Sequence, residues 1–461
     1  MSRKEFFALG GAGAAVAGLS LTGTIGGRRG GPNLLVIMTD DQPYYTVTRM
    51  KAVRELIGNR GMTFSPNAYV STPICGPARA TLLTGRYSHN TGLTRTAGAY
   101  EDLRTSVYES DTIATRLGRA GYRTYFGGKY TNGYDGGAVP PGWDDWFAMV
   151  ESEPEKAGSF LYHDGSGIRR YYRSVVNETD VLGADAERFV RDRSGSSVPW
   201  FAYVCPHAPH SPYYPAPRHD DQSSATPPGG VPSSGEKDLS DKPDWVRAEA
   251  PYTGSERRRA TRVYRGKLGE IQEVDDLVRR LMEALDQTGQ QENTFVFFVT
   301  DNGYLLGEHG LHRKNLPYEE ASRTPFIVCG PKLQAGSRSD AVVSHADLPP
   351  TLLDLADAPW VDLDGRSLAP VFSSGGWPSG WREEVLIEDL GRGWNMLRTP
   401  RWAYVEWDTG DKELYDMNND RHQLHSLHAR SDKADLMVGL SARLDALKVC
   451  SGASCRSAGI G

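Results

Sequence analysis

Short apolar runs alternate with amphipathic stretches along most of the chain. Five runs are rich in aliphatic and aromatic residues and lie at positions 34–38, 123–126, 201–204, 295–299 and 326–328. Continuous apolar runs of this length are typical of strands that are buried on both faces. We therefore predict five strands in the interior of a sheet.

The stretches between these runs have the hydrophobic period of helices. The clearest ones cover residues 112–120, 180–192 and 255–289, and the last carries Leu, Ile and Val along one stripe. Alternation of strands with helices predicts an α/β fold, in which a large, mixed but mostly parallel sheet is sandwiched by helices.

The pattern changes in two places. Residues 206–251 are rich in Pro, Gly and Ser and predict a long loop region, which in a compact domain is often functional. Further short apolar runs and a last amphipathic stretch lie at 385–387, 401–407, 413–416 and 432–447. They predict antiparallel strands and a closing helix. We expect a main domain over residues 32–370 and a small C-terminal α+β subdomain, with an antiparallel sheet, over residues 371–461.

Composition narrows the class of protein. The 461 residues are 39% hydrophobic and 24% charged, as in ordinary globular proteins, and the formal net charge is −6. A small negative charge argues against nucleic acid as the main partner.

The N-terminal segment, residues 1–31, resembles an export signal. A basic start at Arg3 and Lys4 precedes a weakly apolar stretch, as in twin-arginine signals, with Lys4 in place of the second arginine. We expect export to the periplasm or the extracellular space; the alternative is a disordered tail. No other segment approaches the length of apolar sequence that a membrane span needs.

Polar residues directly follow four of the predicted strands. They are Asp40 and Asp41, then Lys129, then His207 and His210, and finally Asp301 and Asn302. In open α/β sheets the ligand crevice lies beyond the carboxyl ends of the strands. We therefore expect these sequence-distant side chains to meet at one edge of the sheet.

The acidic members of this set predict a cation site. Asp40, Asp41, Asp301 and Asn302 supply only oxygen ligands, which Ca²⁺ and Mg²⁺ prefer. Adjacent carboxylates also repel each other unless a positive charge neutralises them. The alternative is a pair of Asp-rich turns without a metal.

The segment 71–85 predicts an anion site. Pro77 is well placed as the first residue of a helix and Gly85 as its end. Cys75 then lies near the helix N-terminus with Arg79 one turn further on, so that main-chain N–H groups and a guanidinium converge on one point. The alternative is a buried structural cysteine.

The motif Cys75-Gly76-Pro77-Ala78-Arg79, completed by Thr84-Gly85-Arg86, resembles the signature of the type I sulfatases of the alkaline phosphatase superfamily. Further blocks resemble the same family, and their closest form is that of N-acetylglucosamine-6-sulfatases and arylsulfatases. These blocks are Gly128-Lys129-Tyr130, Ala208-Pro209-His210-Ser211-Pro212 and the segment 307–320 around Lys314.

The resemblance implies a sulfate ester hydrolase whose cysteine, Cys75, is oxidised to 3-oxoalanine (formylglycine) by a formylglycine-generating enzyme. The hydrate of that aldehyde would be the nucleophile. The metal, usually Ca²⁺ with Mg²⁺ as the alternative, would be held by Asp40, Asp41, Cys75, Asp301 and Asn302. The implied catalytic residues are Cys75, Arg79, Lys129, His210 and Lys314. The implied substrate-binding residues are His207, Lys129, Lys314 and His210, with His207 as the competing assignment for the sulfate-contacting histidine.

The implied substrate is a sulfated small molecule or glycan, such as N-acetylglucosamine 6-sulfate, or an aryl sulfate. Two other functions stay open. One is hydrolysis of a phosphonate monoester or phosphodiester on the same scaffold. The other is binding of sulfated polysaccharide without catalysis, if Cys75 is unmodified.

The remaining four cysteines fall into two groups according to their positions in the sequence. Cys450 and Cys455 lie close together in a Gly/Ser-rich tail and could form a disulfide in an oxidising compartment. Cys205 and Cys329 end apolar runs and are predicted to be buried thiols.

Overall fold

The computed structural model describes residues 30–151, 158–219, 231–249 and 253–458. The export prediction for residues 1–31 therefore falls almost wholly outside the described residues. Within the described ranges, no helix combines the length and apolar character that a membrane crossing requires.

The strands within the described ranges form three sheets. In chain order the described strands are β1 Asn33–Thr39, β2 Met62–Phe64, β3 Ala68–Tyr69, β4 Arg123–Gly128, β5 Asp145–Met149, β6 Ser159–His163, β7 Ile168–Tyr172, β8 Trp200–Cys205, β9 Thr294–Thr300, β10 Phe326–Cys329, β11 Ser337–Ser339, β12 Val343–Ser344, β13 Val385–Asp389, β14 Trp394–Arg398, β15 Trp402–Trp407 and β16 Lys412–Asp416.

The large sheet has the strand order β11-β2-β10-β9-β1-β8-β4-β5-β6-β7. Its centre, from β9 to β5, is parallel, whereas β10, β6 and β7 pair antiparallel towards the edges. All five predicted strands lie in this sheet, so the prediction of a mixed, mostly parallel sheet is confirmed.

Helices cover both faces of the sheet. The described helices of the chain are α1 Cys75–Thr84, α2 Ser88–Thr91, α3 Ala99–Thr105, α4 Ile113–Arg119, α5 Glu178–Asp192, α6 Asp244–Glu249, α7 Gly254–Gln287, α8 Glu319–Ser322, α9 Leu348–Leu355, α10 Ala369–Ser374, α11 Ala434–Lys448 and α12 Ala453–Ser457. Strand β1 shows the division: Leu34, Val36 and Met38 join the core under α1, α4 and α9, while Leu35 and Ile37 join the core under α5 and α7. This alternation follows from the two-residue period of a strand.

One predicted boundary is wrong. Helix α1 begins at Cys75, not at Pro77, and Ile74 before it has extended backbone angles. Pro77 is the third helical residue, a position whose N–H would also lack an intrahelical partner. The helix ends as predicted, because Gly85 adopts a φ of 71° and its N–H bonds the Thr81 carbonyl. The earlier start places Cys75 in the first turn itself.

The C-terminal part contains the predicted antiparallel sheet, with the order β13-β14-β15-β16, and α11 packs on it. Cys450 and Cys455 form a disulfide. Cys205 and Cys329 are buried free thiols, as predicted.

Candidate active site

The carboxyl ends of neighbouring strands gather the predicted residues at one edge of the large sheet. Strand β1 lies parallel beside β9, and Thr39 is level with Thr300 at their ends. The Asp301 amide donates to the Thr39 carbonyl at 3.0 Å, and the Asp41 amide donates to Oδ1 of Asp301 at 3.1 Å. The strand register thus brings Asp40 and Asp41 together with Asp301 and Asn302, which are distant in sequence.

Asp40 is surrounded by cationic groups. Lys129 Nζ donates to its Oδ2 at 2.5 Å, Arg79 Nη2 lies 3.4 Å from the same oxygen, and Cys75 Sγ lies 3.1 Å from Oδ1. Burial alone would raise the pKa of Asp40, but Lys129, His210 and Arg79 outweigh it and hold the pKa well below its usual value. The carboxylate is therefore ionised at neutral pH.

Lys129 reaches Asp40 because β4 and β8 approach each other closely at their ends. The Lys129 amide donates to the Cys205 carbonyl at 2.8 Å. Gly128 has a φ of 101°, and a Cβ there would lie 2.0 Å from that carbonyl oxygen. Only glycine permits this backbone path, so the geometry of the site requires the glycine that precedes Lys129.

Arg79 bridges Asp301 and Asp40. Its Nε and Nη2 each lie 2.9 Å from Oδ2 of Asp301, and its Nη1 donates to the Lys129 carbonyl at 2.5 Å. The guanidinium is fully buried, and burial would lower its pKa, but Asp301 and Asp40 outweigh that effect and raise it. Burial raises the pKa of Asp301 to about 6, with Asp40 adding to the rise and Arg79 opposing it.

Lys314 approaches Cys75 from the loop after β9. Its Nζ lies 2.6 Å from Sγ of Cys75 and also contacts the Asp41 carboxylate. The loop is anchored beside the cysteine, since the Asn315 amide donates to the Pro73 carbonyl at 2.8 Å. Burial lowers the Lys314 pKa, but Asp41 and Cys75 outweigh it and raise the pKa well above its usual value.

The unmodified thiol of Cys75 is a poor nucleophile at this position. Burial raises its pKa well above the usual value, and Asp301 and Asp40 raise it further, while Lys129 and Lys314 only partly oppose them. Because the thiolate is the reactive form of cysteine, an unmodified Cys75 stays neutral and inert.

Both candidate histidines lie in the cluster. His210 Nε2 is 3.6 Å from Oδ2 of Asp41, and the rings of His207 and His210 lie 4.8 Å apart between centroids. Burial lowers the pKa of each ring; Asp40 and Asp41 partly oppose it at His210. Both are therefore neutral at pH 7. The His210 side chain is 27% exposed, so it can reach a ligand that enters from solvent.

The carboxylate and amide oxygens of the cluster fit a hard divalent cation, although the four closest donors also include a thiol and an imidazole. Asp40, Asp41, Cys75 and His210 each place one ligand atom within 4.8 Å of the others. Asn302 Nδ2 donates to Oδ1 of Asp41 at 2.7 Å, and its buried Oδ1 has no hydrogen-bond partner among the described residues. An orphaned buried oxygen beside ionised carboxylates is the arrangement that Ca²⁺ or Mg²⁺ would satisfy.

Sequence reasoning missed Lys267 on α7. It is fully buried, and its Nζ donates to the carbonyls of Asp41 and Pro209 at 2.9 Å each. Burial lowers the pKa of Lys267, and Asp41 partly opposes this. The sequence did contain an indication that Lys267 is buried, because it lies on the same helix face as the apolar residues Tyr264 and Ile271.

The profile of the sulfatase family matches residues 32–358, which is most of the chain. The protein belongs to the sulfatase family. It is therefore a sulfuric ester hydrolase with an alkaline phosphatase-like fold. A second profile, described as the C-terminal part of N-sulphoglucosamine sulphohydrolase, matches residues 307–449 of this sulfatase.

Curated relatives cover nearly all of the chain. N-acetylglucosamine-6-sulfatase of Homo sapiens is 30% identical over 93% of this sulfatase and 86% of the relative. N-acetylglucosamine-6-O-sulfatase of Bacteroides thetaiotaomicron is 26% identical over 87% of the chain and 84% of the relative. Arylsulfatase of Volvox carteri is 29% identical over 92% of this sulfatase and 75% of the relative.

Solved structures share the fold. A protein in complex with its substrate D-glucosamine-2-N,6-O-disulfate superimposes with a TM-score of 0.74 and 24% identity over 90% of this sulfatase and 97% of that chain. A phosphonate monoester hydrolase of Agrobacterium radiobacter superimposes with a TM-score of 0.72 and 21% identity over 90% of this sulfatase and 95% of that chain. At these identities the likeness concerns the fold alone.

Proposed function

We propose that this sulfatase hydrolyses the 6-O-sulfate ester of an N-acetylglucosamine-type sugar, with Cys75 matured to formylglycine and a divalent cation bound beside it. The observation that carries the proposal is the position of Cys75. Its Sγ is in contact with Asp40 and Lys314, at the first turn of a helix. The names of the relatives, which include N-acetylglucosamine-6-sulfatases, support the sugar.

Asp40, Asp41, Asp301 and Asn302, with the oxygen of the modified side chain at position 75, would hold the cation. Conversion of Cys75 would supply a hydrated aldehyde as nucleophile, and Ca²⁺ or Mg²⁺ would supply positive charge for the sulfate oxygens. Arg79 would fix the two acidic pairs in their orientation through its bonds to Asp301 and Asp40.

Lys129 and Lys314 would neutralise and orient the sulfate group. Both ammonium groups lie in the cluster around Cys75, one bound to Asp40 and the other to Asp41. Positive groups that are already in place stabilise charge in the transition state without a cost of reorganisation.

His210, which is neutral in the free site, would hold the proton for the departing sugar oxygen once a bound sulfate raises the pKa of its ring. Its side chain is 27% exposed, more than that of Lys314 at 17%, so it can reach a bound substrate. Breaking the S–O bond of an alkyl sulfate leaves a strongly basic alkoxide, so a proton donor at this point lowers the barrier. His207, whose ring lies 4.8 Å from that of His210 between centroids, would complete the sulfate-binding side.

Secretion and maturation belong to the same proposal. The Cys450–Cys455 disulfide is a feature of proteins that leave the reducing cytosol, which supports export. A formylglycine-generating enzyme would act on the Cys75 segment during maturation. The boundary between the catalytic domain, residues 32–370, and the C-terminal subdomain, residues 371–461, stays a prediction.

Turnover by the matured protein tests this function. The peptide containing Cys75 should be lighter by about 18 Da, since the thiol becomes an aldehyde. That preparation should then hydrolyse N-acetylglucosamine 6-sulfate faster than p-nitrophenyl sulfate, and both faster than a phosphonate monoester or a phosphodiester. Faster turnover of the phosphorus esters would overturn the sugar sulfatase assignment. Binding of sulfated polysaccharide by a protein with an intact thiol and no turnover would favour a binding role.

A further inference from the structure

Helix α7 carries two glycines in its interior, where the chain from the histidine loop packs directly on it. A Cβ at Gly266 would lie 2.6 Å from the ring of Tyr213, and one at Gly269 would lie 2.5 Å from Cβ of Pro215. Glycine is unfavourable inside a helix. At these two positions it permits a backbone-to-helix approach that any side chain would block.

Lys267 lies between these glycines and projects into the space beneath the active site. The side chain has no exposed surface, and its Nζ lies 4.5 Å from the ring centroid of Tyr304 and 5.5 Å from that of Tyr213. Two aromatic faces and two carbonyl oxygens enclose the ammonium group. A buried lysine needs such compensation, because loss of hydration is costly for a charged group.

The two carbonyls that accept from Lys267 belong to two different active-site loops. One is that of Asp41, at the end of β1; the other is that of Pro209, next to His210. Asp41 has a φ of 59°, a left-handed conformation that non-glycine residues adopt rarely. A fixed donor on its carbonyl oxygen therefore holds a main-chain conformation that the residue itself does not favour.

The remainder of α7 is firmly anchored. Oε1 of Glu270 accepts from the Tyr214 amide at 2.8 Å, and Glu273 accepts from the Ala216 amide. On the other side of the helix, the carboxylate of Asp275 accepts from the amides of Ala52 and Val53 at 2.9 and 3.0 Å. Lys267 thus projects from a helix that is fixed against the histidine loop on one side and against residues 52–53 on the other.

We propose that Lys267 is a positioning residue of this sulfatase, which cross-links the cation-binding loop at Asp41 to the histidine loop at Pro209. Through these main-chain bonds it sets the separation between the Asp41 carboxylate and the His210 ring, which lie 3.6 Å apart. This role rests on the proposed functions of Asp41 and His210, and it is independent of which sugar is hydrolysed.

Lys267→Met tests the cross-link, because it keeps the length of the side chain and removes the donors. We expect Ca²⁺ affinity of the variant, measured by calorimetry, to fall about 10-fold or more, as for other groups that orient metal ligands. We expect kcat to fall by about the same factor with a smaller change in KM. In the metal-free protein, hydrogen exchange should accelerate in peptides that cover residues 40–46 and 209–214.

Two comparison variants separate positioning from simple packing. Glu270→Gln lies one turn further along α7 and touches the histidine loop but not Asp41, so its Ca²⁺ affinity should stay within about twofold of wild type. Lys267→Arg, which retains charge and donors, should recover part of the lost affinity. If Lys267→Met does not fold, Lys267→Gln, with a shorter and uncharged side chain, takes its place, and an affinity and kcat equal to wild type in that variant would contradict the role.

These experiments distinguish failure of the proposed function from failure of the role proposed for Lys267. Wild-type protein that binds no Ca²⁺ and releases no sulfate would contradict the proposed function of the site. Wild-type protein that does both, together with a folded Lys267→Met variant of unchanged Ca²⁺ affinity, kcat and hydrogen exchange, would overturn only the role of Lys267.

Discussion

Lys314 Nζ lies 2.6 Å from Sγ of Cys75, although 239 positions separate the two residues in sequence. The contact is formed because the loop after β9 is bonded to the loop before α1, through Asn315 and Pro73. It places a charged hydrogen-bond donor directly beside the sulfur atom that the proposed maturation would replace.

Lys314→Met should lower kcat/KM for a sulfate ester by about 100-fold or more, the usual cost of removing one donor that stabilises transition-state charge. The fold should persist, since the ammonium group lies at the solvent side of the cluster and its side chain is 17% exposed. Steady-state kinetics of the matured protein measures the effect. Lys332→Met, at an exposed position, is the matched control and should behave as wild type. A similar loss of kcat/KM in this control would mean that the effect is not specific to Lys314.

Asp301→Asn should abolish cation binding and also destabilise the fold. The substitution neutralises the carboxylate that accepts from Arg79 Nε at 2.9 Å and leaves a fully buried guanidinium with Asp40 as its only carboxylate partner among the described residues. Breaking a buried ion pair costs about 3 kcal/mol or more. Metal content by atomic emission and the free energy of unfolding in urea test both parts. An unchanged metal content would contradict the proposed ligand set.

Much of this site could be predicted from the sequence, because the strands that carry it are continuous apolar runs and the polar residues stand immediately after them. The rule that ligand crevices form at the carboxyl ends of strands then unites Asp40, Lys129, His210 and Asp301 without any contact information. What it cannot supply is the set of side-chain contacts. The bridge by Arg79, for example, depends on how α1 packs over the strand ends.

Elements at the sheet edges escaped prediction for a physical reason. Strand β7 is almost entirely exposed and contains adjacent arginines, and β2 has only three residues, so neither carries an apolar pattern. Lys267 was missed for the opposite reason. A lysine on a long helix is expected to be solvated, whereas this one faces two carbonyl oxygens beneath the active site.

His210→Ala should reduce turnover of a sugar sulfate more than His207→Ala does. His210 Nε2 lies 3.6 Å from the Asp41 carboxylate, and burial lowers the pKa of His210 less than that of the adjacent His207, so His210 is the more readily protonated ring. A lost proton donor should matter less for p-nitrophenyl sulfate, whose leaving group needs little protonation, so the His210 defect should be smaller with that substrate. Kinetics with both substrates on both variants tests the assignment. The reverse ranking would exchange the roles of the two histidines.

Glu406 links the C-terminal sheet to α11 and should make stability depend on pH. Its Oε1 accepts from the hydroxyls of Tyr404 and Ser441 at 2.7 Å each, and Lys448 Nζ lies 3.0 Å from Oε2. Burial opposes ionisation, but Ser441, Tyr404 and Lys448 outweigh it and lower the pKa of Glu406 to about 2. A carboxyl whose pKa is lower in the folded state stabilises the fold above its unfolded pKa, and this contribution is lost as the pH falls towards 2.

Glu406→Gln should therefore lower the free energy of unfolding by about 2 kcal/mol at pH 7, after allowance for partial solvent screening. The difference from wild type should shrink to under about 1 kcal/mol at pH 3, where much of the linkage is lost. Urea unfolding followed by tryptophan fluorescence at pH 7, 5 and 3 measures this. Glu383→Gln, at an exposed position on the approach to β13, is the control and should differ little from wild type at any of the three pH values. A constant deficit of Glu406→Gln across the series would mean that Glu406 acts through its shape and neutral hydrogen bonds rather than through its charge.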